Sequence, residues 1–255
     1  MHTPGVVLVH GIRASSSMWR SQLAALEQAG VPACAPDLPG HGARAAEDFT
    51  VDGALSAVED AAAEVDGPVL AVGLSLGGYL ATHWAARTAH PLAGLLAAGC
   101  CTRPRGVGLA AYRRLAALIA RLPDGGRLLN DTLARLALPA QARTDLAEGG
   151  LQMGVMDAAL AGVSGIDPIA DLRALGQLPV RFVNGRWDHF RLEERRFLAA
   201  CQSATLHVVP GANHMVSLSR PAAFNEIMLD FLDELSPGTR VRRPPGLRSP
   251  DADSD

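Results

Sequence analysis

The chain has 255 residues, 48% hydrophobic and 19% charged, with a formal net charge of -3 at pH 7. This length suits one large domain or a domain with an inserted lid, and the slight acidity excludes a general nucleic-acid binder, which presents basic surface. All 23 Lys and Arg positions are arginine, so a lysine Schiff base or catalytic lysine is excluded.

The four cysteines, Cys34, Cys100, Cys101 and Cys201, have neither C-x-x-C spacing nor a zinc-type pairing with histidines. Reduced, mostly buried thiols are expected, with no metal and no cofactor. No basic stretch followed by an apolar run and a cleavage site opens the sequence. No apolar stretch approaches the ~20 residues of a membrane span. A cytoplasmic protein acting on a small-molecule substrate is the expectation.

Short apolar runs alternate with helical patterns, which predicts a mostly parallel sheet of about six strands with helices on both faces. Val6 to Val9 reads as a buried strand. Met18 to Gln28 reads as a helix, with Trp19, Leu23 and Leu26 at helical spacing. Pro32 to Pro36 is a second strand and Val51 to Val65 an alanine-rich helix. Val69 to Val72 is a strand running into a helix from Leu76 to Arg87. Leu92 to Ala98, Val180 to Val183 and Thr205 to Val209 are the remaining strands. Ala222 to Leu235 closes the pattern as an amphipathic helix, with Phe224, Ile227, Met228, Phe231 and Leu232 on one side.

Between the strand ending at Ala98 and the one starting at Val180 the alternation breaks. A crossover needs only about a dozen residues, and this segment is far longer. It reads as helical over Leu109 to Leu122, Arg127 to Leu136 and Thr144 to Leu160, punctuated by Pro123, Gly125-Gly126, Pro139 and Gly149-Gly150. The expected organisation is a core over 1–101 and 179–235, a helical lid over 102–178, and a disordered tail over 236–255. The tail is rich in proline, arginine, serine and aspartate.

Gly73-Leu74-Ser75-Leu76-Gly77 lies at the strand-to-helix junction. A serine at such a sharp turn is exposed, and the helix N-terminus beneath it favours developing negative charge. Two further stretches accompany it: Val9-His10-Gly11-Ile12-Arg13 at the end of the first strand, and Asp37-Leu38-Pro39-Gly40-His41-Gly42 after the second. Together these motifs resemble the α/β-hydrolase superfamily, in order, from Val6 to about Leu235. The abrupt start at the His-Gly strand is similar to the compact methylesterase and hydroxynitrile-lyase group.

The resemblance implies an α/β-hydrolase fold and a serine hydrolase. Ser75 matches the nucleophile, His214 in Pro210-Gly211-Ala212-Asn213-His214 the base, and Asp188 in Asn184-Gly185-Arg186-Trp187-Asp188 the acid that orients it. The oxyanion would be held by the amides of Leu76 and Ile12, with Arg13 as the alternative to Ile12 should the loop shift by one residue. His10 and His41 read as structural histidines of their loops, His189 as a rim or surface residue, and His83 as a packed or surface histidine. Met153 and Met156 read as lid core. Arg103 and Arg105 read as solvated, or as partners for an acidic substrate group. The implied reaction is carboxylic-ester cleavage of a small to medium, largely apolar substrate. The alternatives are C–C, lactone or thioester hydrolysis or acyl transfer on the same fold, and a non-catalytic ligand-binding protein.

Overall fold

The computed structural model describes residues 3–124, 126–238 and 241–243. Its centre is a six-stranded sheet, parallel throughout, made of β1 (Gly5–Val9), β2 (Ala33–Cys34), β3 (Val69–Leu74), β4 (Leu92–Ala98), β5 (Val180–Gly185) and β6 (Ala204–Val209), in the order β2-β1-β3-β4-β5-β6. β1, β3 and the inner part of β4 are buried on both faces, which is why their sequences read as unbroken apolar runs. The second strand is shorter than Pro32 to Pro36 predicts. At the sheet edge only Ala33 and Cys34 pair, and proline at each end of the run cannot donate to a ladder.

The helices before the insertion are α1 (Arg20–Ala29), α2 (Val51–Ala63) and α3 (Leu76–Ala85). Thr50 starts α2, its Oγ1 accepting the Gly53 N–H at 3.0 Å. Between β4 and β5 lie α4 (Gly106–Ala120), α5 (Arg127–Ala137), α6 (Ala140–Glu148), α7 (Met156–Ser164) and α8 (Pro168–Ala174). After β5 come α9 (Glu194–Leu198), α10 (Val216–Ser219) and α11 (Pro221–Leu235). One face of the sheet packs α2, α3 and α8; the other packs α1 and α11, where Phe224, Met228, Phe231 and Leu232 are buried. Each such side chain contributes about 1.5–3 kcal/mol of burial.

The stretch Thr144 to Leu160 divides at its Gly149-Gly150 punctuation into α6 and α7, with Gly150 at φ +72°. One expectation for the insertion needs correction. The last part of 102–178 belongs to the core layer. α8, capped by Asp167 Oδ1 and begun by Pro168, buries Ile169 and Leu172 with Val180 and Phe182. Asp171 on α8 then joins His83 Nδ1 on α3 at 2.7 Å and Arg87 Nη1 just past the end of α3 at 2.6 Å, so His83 is a paired histidine. In contrast, α4 and α5 leave Leu118, Leu128 and Leu136 exposed. Most of the expected tail lies outside the described residues. Of its described part, Val241 is buried and donates its N–H to Asp233 on α11, and Arg243 pairs with Asp230 at 2.8 Å. Among the described residues no helix is long and apolar enough to cross a membrane.

Candidate active site

β3 ends at Leu74 and α3 begins at Leu76, so the whole reversal is made at Ser75, whose φ of 56° and ψ of -118° are disfavoured for a residue with a side chain. The flanking glycines are required by contact. A Cβ on Gly73 would stand 2.2 Å from the Gly77 carbonyl oxygen, and one on Gly77 would stand 2.0 Å from that of Val9. The Ser75 N–H donates to the Ala98 carbonyl at 2.8 Å, which ties the turn to β4.

Asp188 follows β5 and His214 follows β6, so two parallel neighbouring strands deliver them to the same sheet end as Ser75. His214 Nδ1 lies 2.9 Å from Asp188 Oδ1, which also accepts the Phe190 N–H at 2.8 Å. Burial works against ionisation of Asp188, but the bond to His214, the His214 charge and the Phe190 amide outweigh it, and its carboxyl sits below its ordinary range. A bond from Asp188 to Nδ1 leaves His214 Nε2 free to act as base. His189 and Phe190 flank the His214 ring, at centroid distances of 5.1 and 4.9 Å. His189 is exposed and lines the cavities beside Ser75, a rim residue as expected.

Ser75 and His214 line one cavity of about 540 Å³, together with Ile12, Tyr112 and Trp187. Ser75 also lines a second cavity of about 370 Å³, walled by Leu76, Leu109, Leu115, Leu160 and Phe190. Ile12, Tyr112 and His189 border both. The walls are mostly apolar, which suits an uncharged ester held away from water.

The loops beneath are built on the two structural histidines. His10 Nε2 accepts the Leu38 N–H at 3.0 Å and its Nδ1 meets the Gly11 carbonyl at 2.9 Å. Burial, and then the neighbouring His41, push the His10 pKa down to about 4. His41 Nε2 accepts the Arg13 N–H at 3.2 Å. At the end of β4, Cys100 and Cys101 are buried, and burial raises Cys101 to about 12, so neither is poised as a thiolate. Arg103 is tied to Glu193 by its Nε and its N–H, each at 2.7 Å, while its side chain stays part-exposed and lines the cavity of about 370 Å³. Arg105 lies 3.7 Å from Asp167. Met153 and Met156 line a third cavity rather than a closed lid core. Among the described residues no group of three or more His, Cys, Asp or Glu could hold a metal ion.

Tyr112, Phe190 and Trp187 were not among the candidates. Only the placement of α4 and of the loop after β5 brings them to Ser75, and spacing in the sequence carries no such signal.

Residues 6–227 match the model of the Alpha/beta hydrolase family. The chain belongs to the alpha/beta hydrolase family. It is an enzyme of the hydrolase type, and its relatives include esterases. Over 87 residues it is 42% identical to the pimeloyl-[acyl-carrier protein] methyl ester esterase of Neisseria meningitidis, a match covering 34% of this chain and 32% of that protein. The chain thus aligns with only about a third of that relative. In fold it is similar to a thermophilic esterase from Thermogutta terrifontis (TM-score 0.71, 22% identity, 91% of this chain and 90% of that one). The enol-lactonase from Burkholderia xenovorans is similar to the same degree (TM-score 0.71, 21% identity, 91% and 92%). This alpha/beta hydrolase therefore shares its architecture with enzymes of more than one reaction.

Proposed function

We propose that this alpha/beta hydrolase is a serine carboxylesterase. The observation that carries the reading is the buried Asp188–His214 bond of 2.9 Å on the wall of the cavity that Ser75 also lines. His214 Nε2 takes the Ser75 hydroxyl proton as Oγ attacks the ester carbonyl. The carbonyl π electrons move to oxygen, and the oxyanion is met by the Ile12 and Leu76 amides. Collapse of that intermediate breaks the C–O bond, and His214 returns its proton to the departing alcohol. Water, deprotonated by His214, then attacks the acyl-enzyme, and the acid leaves as Ser75 regains its proton.

Asp188 keeps the His214 proton on Nδ1 and stabilises the imidazolium. α4 to α7 act as the lid, α4 walling the acyl side of the site. A methyl ester is the natural first substrate, because the Neisseria relative is named for one.

Labelling with a fluorophosphonate, followed by mass mapping, tests the reading. A single adduct on Ser75, absent in Ser75→Ala, is expected, with turnover lowered by about six orders of magnitude in that variant. Near-normal hydrolysis by Ser75→Ala would refute it.

A further inference from the structure

Arg13 differs from the other arginines around the cavities. Arg103 is paired with Glu193 at 2.7 Å and Arg113 with Asp157 at 3.0 Å. Among the described residues Arg13 has no carboxylate within ion-pair distance. Its Nε is buried without a hydrogen-bond partner. Its Nη1 reaches only Met153 Sδ, at 3.6 Å, and a thioether is a weak acceptor. A half-buried guanidinium left this way costs free energy until acceptors or an anion meet it.

The backbone fixes where this side chain starts. Arg13 has a φ of 66°, a left-handed conformation that few residues with side chains adopt. It is held there by its N–H on His41 Nε2 at 3.2 Å and by the Gln152 N–H on its carbonyl at 3.1 Å. From that point it borders both the cavity of Ser75 and His214 and an adjoining cavity of about 480 Å³ lined by Met153. Tyr112 is common to both. His214 does not line the Met153 cavity. Arg13 borders the His214 cavity as well, but the Met153 cavity stands apart from His214, beside which a leaving alcohol must stay, and so is open to the far end of the acyl arm.

We propose that Arg13 anchors a carboxylate at the far end of the acyl group, so that the preferred substrates are monoesters of linear dicarboxylic acids. The inference rests on the carboxylesterase reading and deepens it. A planar guanidinium with free donors matches a carboxylate, and the Tyr112 ring that borders both cavities suits the methylene chain between the two ends.

The test compares monomethyl with dimethyl esters of the acids from succinate to suberate. At the best chain length, kcat/KM for the monoester should exceed that for the diester by roughly ten- to a hundredfold, mainly through KM. The ratio should fall toward one in Arg13→Gln and be partly kept in Arg13→Lys. A wild-type ratio near one at every length, or the same ratio in Arg13→Gln, overturns the proposal. Should Arg13→Gln not fold, added salt on the wild type decides: the monoester preference must shrink with ionic strength, and a preference indifferent to salt counts against the anchor.

Calorimetric titration of Ser75→Ala with the same ester pair separates this proposal from the esterase reading. Tighter monoester binding, lost when Arg13→Gln is added, supports the anchor even if Ser75 proves not to be the nucleophile. Equal binding of both esters sinks the anchor while leaving the esterase reading intact.

Discussion

The Arg13 N–H donates to His41 Nε2 at 3.2 Å, which withdraws that amide from the cavity. The neighbouring Ile12 amide has no protein acceptor among the described residues, nor has that of Leu76 in the first turn of α3, and both residues line the cavity beside Ser75. This supports Ile12, and not Arg13, as the second oxyanion donor. Replacing the Ile12 amide by an ester, through incorporation of the α-hydroxy acid, removes only the N–H. We expect kcat to drop about 10²–10³-fold. The same replacement at Arg13 should instead cost stability, on the order of 1 kcal/mol. Steady-state kinetics and thermal melts of the two ester proteins check the pair; a larger kcat loss at position 13 than at 12 would reverse the assignment.

Asp188 should act through the tautomer of His214. Its Oδ1 receives both His214 Nδ1 and the Phe190 N–H, and its Oδ2 has no hydrogen-bond partner among the described residues. In Asp188→Asn the new side-chain amide could present its NH₂ to Nδ1, which would move the ring proton to Nε2 and block the base. That variant is therefore expected to lower kcat about 10⁴-fold. Kinetics on any accepted ester measure it, and a loss below tenfold would place the acid elsewhere.

Gly99 sits where β4 passes beneath the dyad, at φ +60°. An alanine Cβ there would stand 3.1 Å from His214 Cε1 and Nδ1 and 3.3 Å from Asp188 Oδ2. The methyl group crowds the imidazole, which must give by a few tenths of an ångström, and the backbone conformation strains any L side chain. Catalytic rate is sensitive to such misplacement. Gly99→Ala should therefore lose both kcat and Tm, and a variant that keeps its Tm and full kcat would show that the dyad has room to spare.

The fold was legible because β1, β3 and the inner part of β4 are buried on both faces and so appear as apolar runs such as Val69 to Val72. Ser75, Asp188 and His214 were legible as candidates because each follows a strand and sits in a motif of the family resemblance. The failures have a common cause in tertiary contact. α8 lies inside a stretch that reads as lid, and only the meeting of Asp171 with His83 and Arg87 marks it as core. Arg103 and Arg13 look alike in sequence. One meets Glu193 from a segment ninety residues away, and the other meets no carboxylate among the described residues.

His10 makes stability depend on pH with a definite sign. Its Nε2 accepts the Leu38 N–H, so a second ring proton would oppose that donor inside the core. Burial, then His41, lower its pKa from 6.5 to about 4 in the folded chain. The unfolded state therefore binds the proton first. The stability is fully present above pH 6.5 and is lost as the pH falls toward about 4. Linkage puts the loss from this one group at about 2 kcal/mol between pH 7 and 5. His41, His189 and His207 are also lowered, chiefly by burial, and act with the same sign. Asp37 and Asp188 are held below the usual carboxylate value of 3.8, so their contribution falls away mainly at lower pH. Urea unfolding of the wild type and His10→Gln at both pH values isolates the term. The wild type should lose about 2 kcal/mol more than the variant on acidification. Equal losses in the two proteins would mean that His10 is already protonated in the fold, or that the Leu38 bond is not worth defending.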